Sequence, residues 1–567
     1  MSSTRFLACA VAMWIVVVTV IASGGPLLTN DGPAHFFGAF VHANIDQPAL
    51  GFADHYLLHL PPSSRGFVDL FLPLYELLDK EQSTYTLTVV VCVTIWMIGA
   101  LFAAVQIHGT ASASQLVIVC FAFQTAYFFG LFPFILGTGF AFLGLGLWMR
   151  CSARPWFGTF LAGSCFFLAA RCHVVAAAAV GLLLAADAIS RGRRIALIGA
   201  LAGLPVCWVV FELRQRVASS AAEIFYTPLL ERLQHFPDGF IPGPFWKTWP
   251  ALVLVIAGFV LGRRTPRRAL ALVAAGLLAV SIVLPRDFMG WQFAGWRFIP
   301  IAAVVGLALL PVPATWWGRV VVASIGALQL GWSAWFHHDQ RRESAPLLAA
   351  IETIEPKPRF RFPIVRHQAD NSVYFMSPNI HLGQLVTART GGAIFFGHDT
   401  SLAYHFILLK DGPVIPEAAK MSVGLLPGLP GDAMMSRLMT RAARFDGVVY
   451  YGFPEEAAYL RTLGYEITFA SGRLIVADLV GCPLTLQVEG ATEPVTVAVG
   501  LGGVNEPVSQ FTVNPGGVPD HSHTIERFPC GARWMTVSGA HQRCTRVEGE
   551  VAVLRCTLPA AASTQTP

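Results

Sequence analysis

Apolar runs recur along the first 336 residues, at about 7–23, 86–107, 114–130, 133–149, 157–171, 173–189, 195–211, 250–262, 269–284, 298–310 and 319–336. Each is long enough, or nearly so, to cross ~30 Å of hydrocarbon. A backbone in lipid must satisfy its own hydrogen bonds, so runs of this kind fold as helices. The pattern predicts an α-helical polytopic membrane protein with about eleven transmembrane helices. The shorter runs must tilt or shelter behind neighbours, and 157–189 reads either as two helices or as one broken segment. Arg5 precedes the first run as in a signal peptide, but no clear small-x-small cleavage site follows and further spans do, which favours an uncleaved first helix.

Apolar residues make up 54% of the 567 and charged residues 13%, about half the usual quarter. That excludes a soluble enzyme and a disordered chain alike. The formal charge of +5 is too small and dispersed for nucleic acid as a partner. Residues 1–336 carry 20 basic and 13 acidic side chains, and 337–567 carry 19 and 21. An apolar, net-positive front is therefore joined to a more ordinary globular back. The segmentation implied is a membrane domain at 1–336 with a long first outer loop at 24–85, an α/β domain at 337–480 and a β-rich module at 481–567.

Charge placement sets the orientation, because basic residues gather in short cytoplasmic loops. With the N-terminus inside, the inner segments carry Arg5, Arg150, Arg154, Arg191, Arg193, Arg194, Arg263, Arg264, Arg267, Arg268 and Arg319, with Asp187 as the nearby acid. The remaining acids of the front half fall on the opposite loops. The expected localisation is a bacterial inner (cytoplasmic) membrane, multi-pass, with the C-terminal region periplasmic or otherwise extracytoplasmic.

Residues 337–350 read as a polar exit from the last helix. Ile394–Phe396, Gly447–Tyr451, Tyr465–Ala470 and Leu474–Ala477 read as strands, and Arg437–Arg444 and Pro454–Leu463 as helices, which together make a small mixed α/β unit. From about 481 the texture turns to Val/Thr alternation with Gly, Pro and Asn turns, as in a β-sandwich. Seven of the eleven cysteines lie in or beside apolar runs, where a thiol is a small hydrophobe. The other four, Cys482, Cys530, Cys544 and Cys556, allow two disulfides with three connectivities, or remain buried thiols. Asp399 and His405 form a polar pair with no nucleophile elbow around them, and most pairs of that kind carry no chemistry.

The first outer loop is where chemistry is best placed. About sixty residues between two spans far exceeds what a connection needs. Pro33 after Gly32 starts a helix running to about Asn44, and Phe36, Phe37, Phe40 and Val41 give it an apolar side suited to the membrane surface. A second amphipathic stretch covers 66–79. Asp31 then heads the first helix. A carboxylate at the water–lipid boundary is a base for an acceptor hydroxyl; the alternative is that Asp31 caps the helix together with Thr29 and Asn30.

His35, four residues on, can orient that carboxylate. His55 and His59 have the i,i+4 spacing of a metal pair, but Pro61–Pro62 keeps that helix short, and interfacial histidines with ordinary partners are the commoner case. Arg65, Arg171, Arg286 and Arg297 lie near outer span ends. A guanidinium fork there suits a phosphate, with snorkelling or pairing to Asp287 as the alternative. Arg297 is the first choice and Arg171 the second.

These residues carry a family resemblance. TNDGPAHFFGAF resembles the DxPAH-type opening of a group of bacterial membrane proteins related to the GT-C superfamily, the multi-spanning glycosyltransferases that use polyprenyl-phosphate sugars. FFGLFPFILGTGFAFLGLGL at 128–147, Arg171–Cys172–His173, Trp296–Arg297–Phe298, FDGVVYYGFP and GYEITFASGRLIVADL are similar to later segments of that group. The resemblance implies a GT-C-like fold and a polyprenyl-phosphate sugar as donor substrate. It also implies an acceptor that is a glycan, lipid or protein, inversion at the anomeric carbon, and Asp31 as general base. The family often has a second acidic element that holds a divalent metal. Asp54 and Asp287 are the candidates here, and metal dependence is left open.

Two other functions compete. A transporter or flippase of lipid-linked glycans needs ionisable groups at mid-bilayer, and the front half carries its charges almost entirely at span ends. A non-catalytic glycan- or partner-binding membrane protein is the other.

Overall fold

Where the chain is apolar and free of breakers it becomes helical, and the breaks fall at Gly, Pro and polar clusters. The computed structural model describes residues 2–23, 27–58, 65–78, 80–192, 224–225, 228–241, 245–285, 287–288, 291–292, 294–367, 381–395, 407–409, 426–427, 439, 442–489, 495–501, 509–513, 521–528, 530, 533–537, 544–547 and 552–557. The apolar run 195–211, Arg286, His59, the pair Asp399/His405 and half of the expected helix 437–444 lie outside the described residues.

Among the described residues four helices are long and apolar enough to cross a membrane: Ser3–Ala22, Glu81–His108, Phe132–Arg150 and Trp316–Glu352. Shorter apolar helices follow at Ala113–Phe128, Trp156–Cys172, Val174–Ser190, Thr248–Gly262, Arg268–Val283 and Ala294–Leu309. The protein is a mostly helical membrane protein with smaller C-terminal sheets. Segment 157–189 is two helices broken at His173, whose extended backbone (φ −164°) ends one and begins the next. The run at 114–130 differs from a regular α-helix: Ala113–Phe123 is a 3₁₀ turn sequence followed by Thr125–Phe128. The last helix does not stop at 336. It continues through His337–Arg342 to Glu352, because Arg, Gln, Glu, Leu and Ala there are all good helix formers and charge alone does not end a helix.

Close backbone approach holds the front half together. A Cβ placed on Gly99 would lie 2.1 Å from the Gly139 carbonyl oxygen, so Glu81–His108 and Phe132–Arg150 meet at a contact only glycine permits, as small residues do between membrane helices. At the opposite end from Asp31, buried Asp187 takes Arg191 Nη2 at 2.9 Å and Arg267 Nη1 at 3.0 Å. Arg267 also donates to the Gln106 and Ile107 carbonyls, which ties three helix ends to one carboxylate.

The helix Gly32–Asn44 forms where Pro33 predicts it, but it does not lie on lipid. Phe36, Phe37, Phe40 and Val41 are all buried. Phe71 of helix Arg65–Leu78 packs edge-on against Phe36, and helix Leu382–Thr390 of the C-terminal region packs on it as well. Both of its flanks are covered by protein.

The C-terminal region begins with a six-stranded mixed sheet. Its order is Tyr465–Ser471, Leu474–Leu479, Gly447–Tyr451, Arg359–His367, Gly392–Ile394, with Leu426–Pro427 also on Arg359–His367. Phe362, Phe395 and Phe445 cluster on it. Arg361, 1% exposed, reaches Asp478 at 3.2 Å, and Lys357 reaches the same carboxylate at 2.6 Å. Two further sheets, of four and three strands, follow from Cys482 onward. Cys482 and Cys530 are disulfide-bonded, while Cys544 and Cys556 are register partners on neighbouring antiparallel strands.

Candidate functional site

Asp31 closes the turn before helix Gly32–Asn44. Its carbonyl accepts from the Ala34 and His35 N–H groups at 3.1 Å, and its own N–H donates to the Phe129 carbonyl at 2.7 Å. The side chain makes no capping bond. Thr29 Oγ1 takes the Gly32 N–H instead, at 3.1 Å, so the carboxylate is not spent on the helix. The Phe129 turn depends on Gly130, at φ +74°. A Cβ there would sit 2.2 Å from the Gly32 nitrogen and 2.3 Å from Thr29 Oγ1.

The carboxylate faces a cleft of about 380 Å³ lined by Asp31, Thr125, Ala126, Phe129, Leu131, Trp296 and Arg297. Trp296 stands edge-on to Phe129, with ring centroids 5.8 Å apart. Thr125 is clamped from behind, since its N–H donates to the Phe240 carbonyl at 3.2 Å and its hydroxyl donates to the Asp238 carbonyl. The Asp238 carboxyl, held by His235 Nδ1 at 3.0 Å, is pushed up to about 6 by burial, against the opposing pull of His235.

Asn30 Nδ2 donates to Asp31 Oδ1 at 2.7 Å, and His381 Nε2 lies 3.6 Å from the same oxygen. Asp31 remains about one-third exposed, whereas His381 is buried. Burial works to raise the Asp31 pKa, but the hydrogen bonding and charge of His381, with the charge of His35 and the Asn30 bond, outweigh it and leave the carboxyl below its ordinary 3.8. Desolvation pulls His35 down to about 4 despite the attraction of Asp31, with His381 and Arg297 adding to the fall. Near neutral pH, Asp31 is thus an anion and His35 a neutral imidazole.

Arg297 is buried at the junction of the 3₁₀ turn Ala294–Arg297 and helix Phe298–Leu309. Its Nη1 lies 2.6 Å from His173 Nε2. A guanidinium can only donate, so His173 accepts at Nε2 as a neutral ring. The helix break at His173, with Phe134 edge-on at 5.2 Å, sets that ring in place.

Asp31 and Arg297 therefore share one cavity, and His35 lies within electrostatic reach of both. Arg171 and Arg65 do not line it. Both are bonded to Asp69, Arg65 Nε at 3.0 Å and Arg171 through Nη2, because Asp69 sits one helical turn after Arg65 and faces the end of helix Pro155–Cys172. Asp54 is exposed on the short helix Phe52–His55 and does not line the cleft either. His381 has no local sequence signal, and it reaches Asp31 only because helix Leu382–Thr390 docks on Gly32–Asn44. Tyr56, whose hydroxyl takes the Ile394 N–H at 3.0 Å, reinforces that docking.

Among the described residues no three His, Cys, Asp or Glu side chains converge as metal ligands. Asp31 and His381 supply two donors, and among the described residues no third joins them.

No family model matches the chain, and no curated protein matches it. Solved structures do. ArnT from Cupriavidus metallidurans in the apo state superposes with a TM-score of 0.51 at 11% identity, covering 84% of this chain and 98% of that one. The same protein bound to undecaprenyl phosphate gives 0.48 at 11%, covering 84% and 97%. The Archaeoglobus fulgidus oligosaccharyltransferase tethered with an acceptor peptide gives 0.41 at 11%, covering 98% and 100%. At such identities the likeness is one of fold, and the apo ArnT superposition carries it. The chain shares its overall fold with ArnT.

Proposed function

We propose that this protein is an integral-membrane glycosyltransferase that moves a sugar from a polyprenyl-phosphate donor to an extracytoplasmic hydroxyl of a cell-envelope glycan, lipid or protein. The observation that carries this reading is the shared cavity, in which an anionic carboxylate and a buried guanidinium line one cleft within a GT-C fold.

In this reading the donor phosphate meets Arg297, whose planar fork matches a phosphate and whose burial strengthens the pairing. His173 holds the guanidinium in place. The acceptor hydroxyl donates its hydrogen bond to Asp31. Its oxygen attacks the anomeric carbon from the face opposite the phosphate, the bond from that carbon to the phosphate oxygen breaks, and polyprenyl phosphate leaves with the electron pair. The proton passes to Asp31 as the new bond forms. A carboxylate with a lowered pKa is a weak base toward a free alcohol, but it becomes adequate once the attacking oxygen carries positive charge. Direct displacement inverts the anomeric centre.

The basic inner loops orient the chain with its N-terminus in the cytoplasm and its C-terminal region outside, which puts Asp31 on the extracytoplasmic face of a bacterial inner membrane. The test uses the purified full chain in lipid nanodiscs with a polyprenyl-phosphate sugar. Release of polyprenyl phosphate together with a glycosylated acceptor is expected, and Arg297→Gln should raise the donor KM by about tenfold or more, the loss typical of a charge-assisted phosphate contact. Movement of the intact donor across vesicles with no bond cleaved would make the protein a transporter instead.

A further inference from the structure

We propose that a second cavity, separate from the Asp31 cleft, binds the head group of an ethanolamine phospholipid of the surrounding membrane. The cavity, counted with the open space at its mouth, is about 510 Å³. It opens where the loop before helix Gly32–Asn44, the start of Glu81–His108, the end of Trp316–Glu352 and helix Leu382–Thr390 meet. Leu27, Phe36, Leu348 and Leu385 give it apolar walls, and Glu81, Glu352 and Arg389 supply the charges.

Its depth follows from two hydrogen bonds. Arg341 Nη1 donates to the Ser23 carbonyl at 2.7 Å, just past the end of the first helix. Trp14 Nε1 donates to Thr94 Oγ1 at 2.9 Å, and in antiparallel helices that contact places Ser23 beside Tyr85. Where the apolar helices Ser3–Ala22 and Glu81–His108 end, the hydrocarbon edge would fall near Ser23 and Tyr85. The cavity begins at Tyr85 and extends past Glu81 toward Leu348 and Glu352, outside that edge and in the head-group layer.

Its charges select the head group. Two carboxylates suit an ammonium, which has three hydrogens to donate. One guanidinium suits the phosphate, and Arg389 is steadied for that role by the bond from its Nε to the Ile354 carbonyl at 3.2 Å. Glu352 and Arg389 both act electrostatically on Glu81, the first repelling and the second attracting, so the three form one cluster. An anionic lipid would meet two carboxylates against one arginine and be disfavoured. A choline head group carries the same charges but has no N–H to donate. A bound ethanolamine lipid would bridge the membrane helices to Leu382–Thr390, the helix whose preceding residue, His381, reaches Asp31.

The assignment does not rest on sugar transfer, so its failure leaves that reading untouched. Thermal unfolding of the purified full chain, with lysophosphatidyl-ethanolamine, -choline or -glycerol added, tests it. The ethanolamine lipid should raise Tm by about 3 °C or more at concentrations where the glycerol lipid does not, with choline between them. The Glu81→Gln/Glu352→Gln variant should lose that preference. Native mass spectrometry of the unaltered protein supplies a second readout, in which ethanolamine lipid should be retained over phosphatidylglycerol by more than about tenfold. Equal or greater stabilisation by the glycerol lipid, a preference that survives the double variant, or no selective retention would overturn the assignment.

Discussion

His381 Nε2 lies 3.6 Å from Asp31 Oδ1, so a residue of the C-terminal region helps to set the charge of the carboxylate that follows the first helix. This pairing holds the Asp31 pKa down against burial, and its contribution has a definite sign. A carboxyl lowered in the folded state adds stability that is complete above its unfolded value near 3.8 and fades as pH falls through the lower folded value.

Removing His381 leaves desolvation less opposed, so the Asp31 pKa should rise. His381→Ala is expected to move the acid limb of the pH profile for transfer to higher pH. His381→Gln, which keeps a hydrogen-bond donor, should move it less. A profile unchanged in shape with only a lower plateau would reduce His381 to a packing role.

Gly130→Ala tests how Asp31 is aimed. The added methyl would strike the Gly32 nitrogen and Thr29, and φ +74° disfavours any side chain there. We expect a destabilisation of about 1–2 kcal/mol, with transfer falling more than tenfold as the Asp31 turn shifts. Transfer within twofold of the unaltered protein would show that the turn does not position the carboxylate.

Much of this site is legible in the sequence because its signals are local. Gly32–Pro33 announces a helix start and so places Asp31 at its head, and Trp296–Arg297 marks a span entrance where an arginine needs an anion. The break at Arg171–Cys172–His173 is visible as an alternative. What is not legible depends on docking between distant segments. Nothing near Asp69 shows that it would draw both Arg65 and Arg171 away from the cleft. The burial of Phe36 and Phe40 under Leu382–Thr390 likewise follows from tertiary packing, because an apolar helix face reads the same whether lipid or protein covers it. The 3₁₀ geometry at Ala113–Phe123 also leaves no mark in a hydropathy pattern.

In the C-terminal sheet, Arg361 is fully buried against Asp478. Arg361→Met should destabilise that region by about 3 kcal/mol or more, because it leaves a buried carboxylate with only the half-exposed Lys357 for a counter-charge. Arg361→Met combined with Asp478→Leu should recover part of the loss. A single-variant cost below about 1 kcal/mol by thermal or denaturant unfolding would show that Lys357 alone satisfies the carboxylate.

Asp31→Asn in the purified full chain is the most direct test, read as product formed from a polyprenyl-phosphate sugar beside a melting curve on the same sample. The shape and hydrogen bonding of the side chain are nearly kept, so Tm should stay within a few degrees, while transfer should fall by about 10²–10⁴-fold as the proton acceptor is lost. Transfer within a few-fold of the unaltered protein, in a variant that melts normally, would contradict the role of Asp31.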